Sequence, residues 1–293
     1  MSVKSKSQKS NSKGAVLFLL LPCALCCLLF DCSLAQSRIA ILDFVGERAA
    51  SNHLRKLADK AEFTQVDAAQ LEIAVKGSGY NGSLNLTLDE ARALGLSIGC
   101  DYYIVGIARV LRRLGSASEF YFDVMLGTFL VETSSGKLIN FSFEKAQTAN
   151  EILAHQQLLN LAEKIWLDST VAIKSAAGKS ISAEEPQQIY ELDSAEAVRL
   201  KIKPPQFFRR VKPTYTETAS FGNITATIEL KVVFQADGRI GAVEIMRWGG
   251  FGLDEAALAT VRQLKFEPAK IAGSPVNVSA IVRYNFGQEE KAK

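Results

Sequence analysis

Residues 224–247 read ITATIELKVVFQADGRIGAVEIMR, and their rhythm decides the fold of the C-terminal part. Ile224, Ala226, Ile228, Leu230, Val232 and Phe234 fall at every second position, with Thr225, Thr227, Glu229 and Lys231 between them. A strand points successive side chains to opposite faces, so this spacing predicts a strand with one buried face. Asp237-Gly238 supplies the positive φ of a tight hairpin, and Ile240 to Arg247 returns as a second strand.

Downstream, Leu253, Ala257, Leu258, Val261 and Leu264 fall on one side of a short amphipathic helix, with Asp254 as its expected cap. Pro268 ends that region. Val276 to Phe286 then alternates again, with Val276, Val278, Ala280, Val282, Tyr284 and Phe286 in phase. The order strand, strand, helix, strand predicts one helix on one face of a three-stranded antiparallel sheet, within a domain over residues 205–287 and ahead of a short tail, 288–293.

Particular words sit within this pattern. Pro213-x-Tyr215 comes first, with Ala219, then Gly222, then Ala236-Asp237-Gly238-Arg239 between the strands. Leu253-Asp254-x-Ala256-Ala257, Phe266-x-Pro268-Ala269 and Gly273-x-Pro275-Val276 follow, before a last strand ending in Phe286. In this order and at these spacings they resemble the C-terminal domain of TonB-family proteins of the bacterial envelope. Tyr215-Thr216 stands where the family usually has Tyr-Pro.

The resemblance implies a docking function. In TonB-like proteins the final strand pairs with a short segment of an outer-membrane transporter. Val276, Asn277, Val278, Ser279, Ala280, Ile281, Val282, Arg283, Tyr284, Asn285 and Phe286 would then be the docking edge, its backbone groups open to an added strand. Asn277, Ser279, Arg283 and Asn285 would tune specificity from the polar face, or be ordinary solvated strand residues. The expected partner is an outer-membrane transporter or another envelope protein. An inner-membrane proton-driven motor and a second copy of the chain, as a homodimer, stay open. TonB itself crosses the periplasm on a proline-rich segment, and this chain has a globular segment instead.

That segment opens with Arg38 to Phe44 (RIAILDF), a short apolar run suited to a buried strand, followed by a helix over about Ala50 to Lys60. Thr87-Leu-Asp-Glu90 is a capping box opening a helix that stops between Gly95 and Gly99. Asp101–Val110, Phe120–Val131 and LINFSF, the last entered through a turn at 134–137, are rich in β-branched and aromatic residues and read as strands. An amphipathic helix follows over Ala149 to Ser169. The fold class is α+β, an N-terminal α/β domain over 36–172 joined by a linker, 173–204, to the small C-terminal domain. RIAILDF, DEARALGLSIGCDYYIVGIARV and FLVETSSGKLI resemble the α/β domain of TolB N-terminal and CsgG-like envelope proteins over about residues 38–170.

Gly14 to Phe30 is an unbroken apolar run behind Lys4, Lys6, Lys9 and Lys13, with small residues at Ser33 and Ala35. This reads as a secretory signal over 1–35 cleaved before Gln36, the other reading being a retained inner-membrane anchor. Both readings send the remainder out of the cytoplasm, to the periplasm. Beyond residue 35 acidic and basic residues are equal in number, so no general positive field supports nucleic-acid binding. Cys100 is the one cysteine of that part, so no disulfide forms within it.

Catalytic and cofactor signals are weak. Gly77-Ser-Gly79-Tyr-Asn-Gly82 matches a dinucleotide fingerprint by letter, but Ser83 to Thr87 follows where a helix should begin. His53 and His155 lie on separate predicted helices without a ligand cluster, and no paired histidine activates Cys100. No cofactor and no enzymatic activity are expected. Trp248 and Phe251 in a glycine-rich loop read either as an exposed contact patch or as a cap on the small core, and Phe207-Phe208-Arg209-Arg210 as a partner contact or as packing.

Overall fold

The computed structural model describes residues 37–61, 63–115, 119–176, 188–209 and 211–287. The expected signal or anchor, the tail at 288–293, Arg210 and part of the expected linker lie outside them. Among the described residues no helix is long and apolar enough to cross a membrane.

The first sheet grows from β1 (Arg38–Ile41), where RIAILDF was expected to form a strand. β2 (Val45–Gly46) and α1 (Arg48–Ala58) follow, then β3 (Thr64–Gln65), α2 (Ala68–Gly77) and α3 (Leu88–Ile98). β4 (Tyr102–Leu114), β5 (Phe120–Glu132) and β6 (Leu138–Thr148) form a long antiparallel meander, closed by α4 (Glu151–Ala176). The order is β3-β1-β4-β5-β6, with β1 parallel to both neighbours and β6 at the edge. Thr87 and Glu90 complete the capping box, and Gly99 ends α3 in the left-handed conformation at φ 75°.

The strand runs are apolar on both faces because both faces are covered. Ile39, Ile41, Ile104, Leu126 and Leu130 point to α1 and α4. Ala40, Leu42, Tyr103, Val105, Met125 and Phe129 point the other way, into a second cluster that does not stop at the domain's end. It continues through Trp248, Phe251, Leu230, Val232 and Phe234 of the C-terminal part, so the described residues from 37 to 287 pack as one unit.

The described residues of the expected linker, 173–176 and 188–204, are largely structured. α4 runs to Ala176, and beyond it β7 (Tyr190–Glu191) and α5 (Ala195–Arg199) pack on the C-terminal sheet through half-buried Tyr190, Leu192 and Ile202. β8 (Gln206–Phe207) pairs with β11 (Phe266–Glu267), and α6 (Glu217–Gly222) leads into β9 (Ala226–Phe234). β10 (Ile240–Arg247), α7 (Leu253–Val261), the small hairpin β12 (Lys270–Ile271) and β13 (Ser274–Pro275), and β14 (Val278–Phe286) complete the chain. The sheet runs β10-β9-β14-β7, the expected antiparallel three with β7 added in parallel.

Candidate docking edges and the seam behind them

The family words are places where local chemistry fixes the small domain. The Tyr215 hydroxyl donates to the carbonyls of Ala219 (3.1 Å) and Ile224 (2.7 Å), tying α6 to the approach of β9. Thr216 caps α6 by accepting the Ala219 N–H, so the residue that replaces the usual proline has its own structural use. Gly238 turns the β9–β10 hairpin at φ 83°.

Asp254 does not cap α7 as expected. The N-cap is Gly252, and Asp254, inside the first turn, turns back to accept the N–H groups of Gly249 (3.0 Å) and Gly250 (2.7 Å). Burial pushes its carboxyl up to about 6, against the opposing pull of those two N–H bonds.

Those bonds hold the loop from Trp248 to Gly252 against the first sheet. Trp248 and Phe251 are each 1% exposed, which rules out the exposed patch and makes them the seam between the two parts. Their rings meet Phe129 and Phe141, with centroids 5.3 Å apart for Phe129–Trp248 and 4.8 Å for Phe141–Phe251. Gly250 is required there: its φ is 65°, and a Cβ would sit 2.6 Å from the Phe129 ring. Asn85 closes the same seam in three bonds. It donates to the carbonyls of Thr227 (2.9 Å) and Trp248 (2.7 Å) and accepts the Thr227 N–H (2.9 Å). Arg109 donates to the Gly222 carbonyl at 2.8 Å.

The docking edge is shorter than the alternation implied. Val276 and Asn277 precede β14, and Val276 donates to the Ala269 carbonyl at 2.9 Å. Tyr190 and Leu192 donate to the carbonyls of Asn277 (3.1 Å) and Ser279 (3.0 Å), so β7 already occupies the start of the edge. Ser279, expected to point to solvent, is 4% exposed. Backbone groups alternate sides along a strand, and Asn277 and Ser279 face β7. Ile281, Arg283 and Asn285 therefore also face away from β9, where no strand among the described residues pairs with them.

Side chains on this stretch form a polar ladder. Arg283 donates to Glu229 at 2.9 Å, Glu229 also lies 3.7 Å from Arg247, and Thr227 donates to Asn285 at 2.9 Å. Lys231 pairs with Glu191 of β7, and Ile281 is 41% exposed. Ala280, Val282 and Tyr284 are half-buried on the core face.

Other signals fall into plain structural places. The loop after Gly77 is stitched by Tyr80 and Asn81 to Ser83, and α3 begins only at Leu88. Cys100 is buried beside Thr133, and burial pushes its thiol up to about 11. His53 lies 3.1 Å from Glu163, tying α1 to α4. Phe207 packs on Phe234 and Phe266, while Phe208 is 73% exposed.

Outside the expected linker, two helices escaped the pattern reading. α2 begins at Asp67, whose carboxylate accepts the N–H groups of Ala69 and Gln70, and α6 begins at Thr216. Both caps were visible in the letters.

Residues 211–287 match the family model for the Gram-negative bacterial TonB protein C-terminal. No curated protein matches the chain. Among solved structures, the TonB C-terminal domain of Pseudomonas aeruginosa aligns over its full length (100%) and 36% of this chain, at 18% identity and a TM-score of 0.28. The LpoB C-terminal domain from Salmonella enterica aligns over 82% of its length and 38% of this chain, at 19% identity and a TM-score of 0.28. The hypothetical protein CT253 from Chlamydia trachomatis aligns over 96% of its length and 45% of this chain, at 9% identity and a TM-score of 0.32. By the family match, and by its order of strand, strand, helix and strand, the segment from 211 to 287 belongs to the TonB C-terminal family.

Proposed function

We propose that this chain is a non-enzymatic protein of the bacterial periplasm that captures an extended segment of an envelope partner by adding it as a strand to β14. The observation that carries this reading is the open backbone at Ile281, Arg283 and Asn285, beside a β7 that already uses the same edge in parallel. Each added main-chain bond contributes modestly, about 0.5–1.5 kcal/mol, so side-chain contacts at Arg283 and Tyr284 set the choice of partner.

An outer-membrane transporter is one such partner, in energy-coupled transport driven by an inner-membrane motor. An assembly factor or scaffold is the other reading. The shared core behind Trp248 favours it, because the docking domain is fixed to the first sheet rather than hung on a spacer. The TolB N-terminal and CsgG-like resemblance of residues 38–170 supports the same reading. Energy coupling requires a retained N-terminal anchor, so the intact mass of the mature chain with membrane fractionation separates the two.

A photocrosslinking residue in place of Arg283, in the intact envelope, yields partner adducts if the reading is right. Those adducts disappear with Ile281→Pro, which removes an outward backbone donor. Unchanged adducts from a folded Ile281→Pro chain, or the same adducts from a control at exposed Val171, would overturn strand addition at β14.

A further inference from the structure

The opposite border of the small sheet faces a second open edge. Sheet one ends at β6 and sheet two ends at β10, and between them lies a cleft of about 770 Å³. Leu138, Ile139, Asn140 and Phe141 line it from β6, and Val243, Glu244 and Ile245 from β10. A strand shows alternate side chains on each face, and unbroken runs of neighbours on both strands are what a space passing along their edges would touch. The cleft thus runs between two edges, each carrying backbone groups that no strand among the described residues pairs with along these runs.

Its apolar lining is half-buried Leu138, Phe141, Val243, Ile245 and Leu258, with Trp248 wholly buried beside them. Among the described residues its charged lining is Glu244, Asp254, Glu255 and Lys137; Lys137 reaches across to Glu244 at 2.8 Å and ties the two edges together, which leaves Glu255 as the open carboxylate. Asp254 is occupied by the loop N–H groups, and Glu255 is exposed.

We infer that this cleft binds an extended peptide segment of a partner protein, about four to six residues long, alternating apolar and basic side chains. The segment lies as a shared strand between β6 and β10, its apolar residues on Phe141 and Leu258 and its cations at Glu255 and, in place of Lys137, at Glu244. Four strand residues at about 3.3 Å each match the lined length of β6. The volume falls in the range of about 300–1,000 Å³ typical of ligand sites. The site is independent of the β14 edge, which lies on the other side of β9.

The probe is the blocked peptide acetyl-Val-Lys-Val-Lys-Val-amide, titrated into the full chain by calorimetry, with Trp248 emission in a Trp166→Phe background as the local readout. The expected result is saturable binding. It weakens at least tenfold in a Glu244→Gln, Glu255→Gln double variant, and by a similar factor when the peptide's backbone nitrogens are methylated. Ile281→Pro leaves it unchanged. Absence of saturable binding overturns the proposal, as does equal affinity for the double variant, the methylated peptide or a Val-Glu analogue. A chain that sediments as a dimer, and as a monomer once Glu244 and Glu255 are changed, also overturns it, by assigning the cleft to a second copy.

Discussion

The loop from Trp248 to Gly252 and the end of β14 belong to the same small domain, and they treat their backbone in opposite ways. At the loop, Asp254 accepts two main-chain N–H groups, and Asn85 donates to the Trp248 carbonyl while it also holds the N–H and carbonyl of Thr227 in β9. At β14, Ile281, Arg283 and Asn285 face outward with no strand beside them among the described residues. The seam is closed by contacts from the rest of the chain, and in the function we propose the edge is left for contacts from outside it, so stability and recognition are kept apart.

The sharpest way to break this contrast is Trp248→Ala. It empties a fully buried site between the two parts and should cost about 3–5 kcal/mol. Because the core is continuous, urea unfolding should remain a single transition, with probes in β5 and β9 moving together. Separate transitions would show two independent domains.

Asn85→Ala removes both donors and the acceptor from the Thr227 and Trp248 backbone, and should cost about 2–3 kcal/mol in the same measurement. Asp254→Asn tests the pH dependence of the seam. Burial raises the folded-state carboxyl to about 6 from 3.8, so between those values the folded chain holds a proton that the unfolded chain has released. Stability then falls as pH rises from about 4 to 6, by up to about 1.4 kcal/mol per pH unit from this group, and levels above it. The variant should lose that part of the slope in unfolding curves taken across the window.

Arg283→Ala gives the smallest effect. Its pair with Glu229 is solvent-exposed on the arginine side, so stability should change by less than about 0.5 kcal/mol, while partner adducts from position 281 should fall. A large loss of stability here would mean that the edge is structural after all.

The fold was legible wherever period and turn chemistry are local. Ile228, Leu230 and Val232 gave their face away by alternation, Gly238 by its turn, and Thr87 with Glu90 by their cap. The site was legible only in part. Trp248 and Phe251 sit in a run of glycines that reads equally as exposed patch or core cap, and nothing nearby announces that Phe129, more than a hundred residues earlier, packs on them. Ser279 has the right phase for solvent, yet a two-residue strand too short for any period buries it. The cleft between β6 and β10 depends on how two sheets meet, which no single stretch encodes.

The ladder between β14 and β9 bears on mechanics. Nine registered pairs, from Val278–Phe234 to Phe286–Ala226, run the length of the strand that a partner would join. A pull along such a partner is shared by all nine in shear rather than peeling them one at a time. If a partner joins β14 as proposed, tension on it would pass from β9 toward the aromatic seam that joins the two sheets.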